Sequence, residues 1–183
     1  TGSGRYVDDI VLPGMVTMVY VRSQVAHATL TSIDTAEACA MPGVLGVWTA
    51  ADLPDLPCVR SVPTMERYPL AKDAVRFVGE PVAVVVATDR ARAVDAAEKV
   101  DVDYEPLPVL TTIEEAMAPD AAPITPGQAS NVVMEIPLTE DDAQAEIDRA
   151  PHVSRLHLVN QRLAPVPIEP IGCVADWSAK GAT

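Results

Sequence analysis

The stretch that decides the fold runs over residues 75–109, VRFVGEPVAVVVATDRARAVDAAEKVDVDYEPLPV. Val82 to Ala87 is an unbroken apolar run of small and β-branched residues, as expected for a central strand buried on both faces. Ahead of it, Val75, Phe77 and Val78 read as a strand end and Gly79-Glu80-Pro81 as a turn. Asp89 predicts the cap of a helix in which Ala93, Ala96, Ala97 and Val100 recur at helical spacing on one face. Those side chains are small, so the helix can lie close on a sheet. Asp95 stands four residues ahead of Lys99 on the other face, the favourable order for an ion pair. Val102 and Tyr104 then alternate with Asp101, Asp103 and Glu105, a half-buried strand ending at Pro106. The order is β-β-α-β, and the fold class it predicts is α+β.

Toward the N-terminus, Met15 to Arg22 reads as a strand and His27 to Ile33 as its antiparallel partner, with Ser23 to Ala26 turning between them. Asp34 and Glu37 have capping-box spacing for a short helix that Met41-Pro42-Gly43 stops. Val44 to Trp48 is a further strand, and Thr49-Ala50-Ala51-Asp52 repeats the cap signal. Residues 53–74, interrupted by Pro54, Pro57, Pro63 and Pro69, show no sustained period and read as a packing or interface loop.

Toward the C-terminus, Thr112 and Glu115 box a short helix, and Pro119, Pro123, Pro126 and Gly127 mark a linker. Val132 to Ile136 reads as a strand, and Thr139-Glu140-Asp141-Asp142 opens a helix to about Ala150. His152 to Asn160 and Gly172 to Trp177 read as two more strands around the segment QRLAPVPIEP, residues 161–170.

A chain of 183 residues buries roughly 70% of its unfolded surface, enough for a core. With 13 Lys+Arg against 26 Asp+Glu the formal net charge is −13, which argues against nucleic acid or an anionic membrane as partner. No apolar run approaches the ~20 residues of a membrane-spanning helix. Cys39, Cys58 and Cys173 are odd in number and far apart, so they read as isolated buried thiols in a reducing cytoplasm, without a disulfide framework, iron–sulfur cluster or zinc site. His152 and His157, five apart, would point to opposite faces of a strand, and His27 stands alone, so no metal set forms. Asp8-Asp9 and Glu140-Asp141-Asp142 lack the spacing of a calcium loop. Gly2-Ser3-Gly4 precedes no helix that could hold phosphate. Glu80 is the most pointed acid, yet no Lys, His or second acid accompanies it in its motif, so a structural turn is its expected role. No nucleophile, base and oxyanion hole assemble.

The 75–109 stretch resembles the hammerhead domain of the molybdenum hydroxylases, the xanthine dehydrogenase and aldehyde oxidase family, in particular carbon monoxide dehydrogenase-like large subunits. Further matching residues are Gly2, Tyr6 and Asp9, Leu12-Pro13-Gly14-Met15, Arg22-Ser23 with Ala26-His27-Ala28, and Ser32-Ile33-Asp34. Pro42-Gly43-Val44 and Thr49-Ala50-Ala51-Asp52-Leu53 extend the match. QRLAPVPIEP, with Gly172, Val174 and Ala175, resembles the opening of the family's molybdenum-cofactor domain. Family-motif positions of structural role are therefore Gly79, Glu80, Pro81, Gln161, Glu169 and Gly172. Gln24 stands where the family commonly has Pro, and Ile171 where these members usually carry Arg, whose guanidinium would supply a hydrogen-bonding fork.

The resemblance implies a hammerhead-type mixed sheet with short helices over 1–118, a Pro-rich linker over 119–129, and the opening strands of an incomplete molybdopterin-binding domain over 130–183. It implies the N-terminal fragment or split chain of a large subunit of a molybdenum-dependent oxidoreductase that hydroxylates with water oxygen. This part would be scaffold and interface, with no catalytic, cofactor-binding or metal-binding residue of its own. The molybdenum–pterin cofactor would sit on the remaining large-subunit part, and iron–sulfur clusters and FAD on partner domains or subunits, in the cytoplasm. Homo-oligomerisation is compatible with it. The competing reading is a stand-alone interaction or oligomerisation module that kept the fold without the enzyme.

Overall fold

The apolar run Val82 to Ala87 becomes the middle strand of a sheet within Val16–Ile136. In the computed structural model, which describes residues 2–55, 57–62, 65–125, 127–136, 143–161, 163–169, 171–178 and 181–182, the elements follow in chain order. They are a 3-10 turn (Val7–Asp9), β1 (Thr17–Arg22), β2 (Ala28–Asp34), α1 (Ala36–Cys39), β3 (Val44–Thr49), β4 (Val59–Val62), β5 (Met65–Arg67) and β6 (Ala74–Val75). There follow β7 (Pro81–Ala87), α2 (Arg90–Ala97), β8 (Asp101–Pro106), α3 (Ile113–Ala116), α4 (Ala143–Arg149), β9 (Trp177–Ser178) and β10 (Gly181–Ala182). The chain divides into two compact units: Val16–Ile136, and Thr1–Met15 together with Pro137–Thr183.

Within Val16–Ile136, β7 is the middle strand of the sheet β1-β7-β3, and β2 is the middle strand of β6-β2-β8. Every described ladder is antiparallel. Strand β7 feeds three apolar clusters. Val82 packs with Ala28, Ala71 and Val75 between the sheets. Val84 packs with Ala50 and Leu70, and Val85 with Ala38, Val47 and Ala96. Adjacent residues of one strand thus bury on opposite faces, the period-2 consequence of the pleat. Helix α2 is capped as expected, with the Asp89 carboxylate accepting the Arg92 N–H at 3.0 Å, and it buries Ala93 and Ala96. The capping box of α3 forms between Thr112 and Glu115.

Several expectations fail for identifiable reasons. β1 and β2 are consecutive but do not pair: β1 pairs with β7, and β2 with β6 and β8. The segment between them lacks the Gly or Asn of a tight hairpin turn. Instead Ser23 turns on its own hydroxyl, which bonds Val25. Lys99 pairs with Glu37 at 2.7 Å, not with Asp95, because α1 and α2 cover the same cluster. Glu37 is therefore engaged elsewhere than in a capping box, and Asp34 accepts the Ala36 N–H at 2.8 Å beside the N-cap Thr35. Thr49–Asp52 closes as a turn without a helix, both the Thr49 N–H and hydroxyl donating to Asp52. Residues 53–74 hold the β4–β5 hairpin, whose Pro63 lies outside the described residues.

The expected strands at Val132–Ile136 and His152–Asn160 are irregular backbone, and of the third, Gly172–Trp177, only Trp177 enters a ladder, in the pair Trp177–Ser178 with Gly181–Ala182. A strand needs a neighbour to bond, and apolar alternation alone does not supply one. The irregular backbone also removes the strand on which opposite faces were assigned to His152 and His157. Thr139–Asp142 lies outside the described residues, and the helix is seen from Ala143. The linker is tied down by Asn131, whose side chain accepts from the Ile124 N–H at 2.9 Å and donates to the Ala116 and Ala122 carbonyls, each at 3.2 Å.

Candidate functional site

Gly79-Glu80-Pro81 is a turn of the Val16–Ile136 unit tied on several sides by hydrogen bonds. Gly79 has φ +91°, a left-handed backbone that side chains resist, although no heavy atom lies within 4 Å of a Cβ placed there. Its requirement is conformational, then, and not steric. Gly79 N–H donates to the Ser23 carbonyl at 2.8 Å, and Ser23 N–H donates back to the Glu80 carbonyl at 2.9 Å. Arg22 donates from its guanidinium to the Gly79 carbonyl at 2.9 Å, while lying 5.3 Å from the centroid of the Tyr20 ring. The Pro81 carbonyl accepts the Ala71 N–H at 2.8 Å.

The Glu80 carboxylate turns inward, with 14% of the side chain exposed, and accepts the Arg76 N–H at 2.5 Å. The Arg76 guanidinium stands 3.8 Å from its other oxygen. A carboxylate held by a backbone N–H and a guanidinium four residues back is a clasp on the turn. What the clasp presents is apolar: Phe77 is 47% exposed and Val78 64%.

The other sequence-selected positions lie in the second unit. Glu169 accepts the Val7 N–H at 2.9 Å, and Gly172 stands against the Val7 side chain. Gln161 is exposed on irregular backbone, and Ile171 is fully exposed. The six positions thus form one group at residues 79–81 and a second at 169 and 172, with Gln161 bonded to neither in any contact described.

Other chemistry-bearing groups are scattered. His27 Nδ1 lies 2.7 Å from the Pro108 carbonyl, which can only accept, so that nitrogen carries the proton. Lys72 sits 3.8 Å over the Tyr68 ring, and the Glu66 carboxylate beside the Tyr68 hydroxyl pushes the phenol above its ordinary range. Lys72 is the one charged residue lining an open depression of about 220 Å³, with Leu30, Ser32 and Thr49 among its walls. Cys39 and Cys173 are exposed thiols, contrary to the buried thiols expected, and Cys58 is half-buried. Among the described residues no three His, Cys, Asp or Glu side chains converge on a metal position.

Residues 1–108 match the family model described as "Aldehyde oxidase and xanthine dehydrogenase, a/b hammerhead domain". The chain belongs to this family. It is 52% identical over 123 residues to the carbon monoxide dehydrogenase large chain of Afipia carboxidovorans, covering 66% of this chain and 15% of that one. It is 37% identical to the nicotine 6-hydroxylase large subunit of Paenarthrobacter nicotinovorans, covering 97% of this chain and 22% of that subunit. Among solved structures, quinoline 2-oxidoreductase from Pseudomonas putida 86 matches with a TM-score of 0.66 at 45% identity, over 73% of this chain and 18% of that one. The antiparallel sheets and short helices are those of the hammerhead domain. This hammerhead chain spans between 15% and 22% of the length of the relatives named here.

Proposed function

We propose that this chain supplies scaffold and interface to the N-terminal side of a molybdenum-hydroxylase large subunit, and is not catalytic alone. The reaction served is hydroxylation of a carbon centre with oxygen from water. The molybdenum–pterin site is assigned to the remaining large-subunit part, and iron–sulfur and flavin groups to partner subunits. Supporting this are relatives named as a large chain, a molybdenum-binding subunit and one subunit of a dehydrogenase complex. The functional division remains 1–118 hammerhead, 119–129 linker and 130–183 opening of the cofactor domain, supported by the family match over 1–108. Gly79, Glu80 and Pro81 are the clasp of the scaffold. Cytoplasmic placement is supported by three cysteines without a disulfide. No described helix is long and apolar enough to cross a membrane.

The observation that carries the interface reading is the apolar surface of residues 156–177. Leu156 and Leu158 are 81% and 80% exposed, and Leu163, Val166, Ile168, Ile171 and Trp177 at least as much. So many exposed apolar side chains in one segment favour a surface covered by a partner. Light scattering combined with amide exchange tests it: the expected result is association, with slowed exchange over 150–177. A strict monomer exchanging there at unfolded-chain rates overturns the interface reading. Near-stoichiometric molybdenum on the purified chain would overturn the assignment of the cofactor elsewhere.

A further inference from the structure

The Tyr6–Asp9 turn poses a local problem. A 3-10 turn of three residues leaves its first N–H groups without partners in the turn. The Asp9 carboxylate reaches back to the Tyr6 N–H at 2.9 Å, but Val7 N–H has no such neighbour in sequence. Its acceptor is Glu169 Oε1, also at 2.9 Å and 162 residues away. A second contact lies three residues beyond. A Cβ at Gly172 would stand 3.2 Å from Val7 Cγ1, tighter than ordinary packing, so the absence of a side chain lets Val7 approach. Polar and apolar faces of one residue are thus received by two positions that share a short segment.

The structure assigns Glu169 and Gly172 as the seat of the Tyr6–Asp9 turn, and we infer that the seat anchors the first fifteen residues into the unit formed with Pro137–Thr183. The occupant is this chain's own N-terminal segment. Glu169 and Gly172 are positioning residues in this role. The contact holding the Glu169 carboxylate at the turn is the Val7 N–H. A neutral side chain with an acceptor oxygen at the same place keeps the contact, though with a weaker bond.

This inference goes beyond the interface reading and is read at a different amide. Amide exchange at Val7 is measured in the full chain, beside exchange over Val82–Ala87 as an internal reference. In the wild type Val7 exchanges slowly. E169A removes the acceptor and speeds Val7 exchange by roughly 10-fold or more, the range of a lost bond to a charged group. E169Q keeps an acceptor oxygen and retains most of the protection. G172V removes no hydrogen bond but pushes Val7 off its seat, and speeds exchange as E169A does. Val7 exchanging at open-chain rates in the wild type, or unchanged in E169A, overturns the assignment. Loss of Val82–Ala87 protection in E169A also overturns it, because Glu169 would then be acting on the other unit.

Discussion

The two units spend similar kinds of side chain to different effect. In Val16–Ile136, Val75, Val82, Val85 and several alanines are completely buried, and the middle strands β7 and β2 are bonded on both sides. Among the described residues of Pro137–Thr183, leucine, valine and isoleucine at 156–171 lie on irregular backbone and face out, and Trp177 faces out from β9. Larger apolar side chains therefore do not make the better core. Val85 and Ala96 bury because strand and helix backbones hold them at contact distance, and each contact is worth having only when water is excluded. Leu156 and Leu158 have no such frame. The comparison teaches that apolar content is a demand for burial, while hydrogen-bonded neighbours are the means of meeting it.

The sharpest way to break the comparison is to place the same charge in each unit. Val85→Asp puts an unpaired carboxylate in the most enclosed strand and should remove at least about 4 kcal/mol, abolishing the cooperative melt. Leu158→Asp should leave that melt within about 0.5 kcal/mol of wild type. Circular dichroism melts of the two variants decide it, and equal losses would mean that the C-terminal segment is as well buried as the sheet.

A smaller effect is expected at the clasp. Gly79→Val forces a β-branched residue to φ +91° and should cost about 1–3 kcal/mol, although nothing nearby obstructs the added atoms. An unchanged melt would show that the turn relaxes and that Gly79 is retained for some other reason. Asn131→Ala should cost about 1–3 kcal/mol by orphaning the Ile124 N–H and the Ala116 and Ala122 carbonyls. Urea unfolding gives the size, and faster exchange at Ile124 gives the location. Asn131→Asp keeps the acceptor and loses only the two donated bonds, so its Ile124 amide should remain the slower of the two.

The mildest test is pH. Asp52 is held below its ordinary range by the Thr49 N–H and hydroxyl, Asp89 by the Arg92 N–H, and Glu115 by the N–H groups of Thr111 and Thr112. A carboxyl depressed in the folded state contributes stability above its unfolded pKa, and that contribution is lost as pH falls through the folded value. The melting temperature of Val16–Ile136 should therefore be flat near neutrality and decline below about pH 4. Asp52→Asn should make that decline shallower. A melting temperature that rises on acidification would contradict the hydrogen-bond assignments at all three carboxyls.

Signals that close within one turn were legible from the residues alone. Asp89 reaches the N–H of Arg92, and Thr112 and Glu115 bond each other reciprocally, because chain geometry already brings these groups together. The run Val82–Ala87 was legible too, since no other placement satisfies that much contiguous apolar backbone. The Glu80 carboxylate was singled out and given a structural role, but its partner Arg76 was not named, although it stands only four residues earlier. Asn131 was missed altogether. An Asn followed by Val-Val carries no pattern, and its three partners lie 7, 9 and 15 residues back.

Sequence by itself settled which segments demand burial, where helices α2 and α3 begin, and, through its combined motifs, the family. Tertiary structure alone decided the pairing. It sent consecutive strands β1 and β2 into different sheets, gave Lys99 to Glu37, and left 152–160 without a ladder. It also brought Glu169 to Val7 across 162 residues. The physical reason is the range of the forces. Caps and turns are decided by neighbours that the chain cannot separate, whereas a strand's partner is whichever edge offers free N–H and C=O groups after the core has closed.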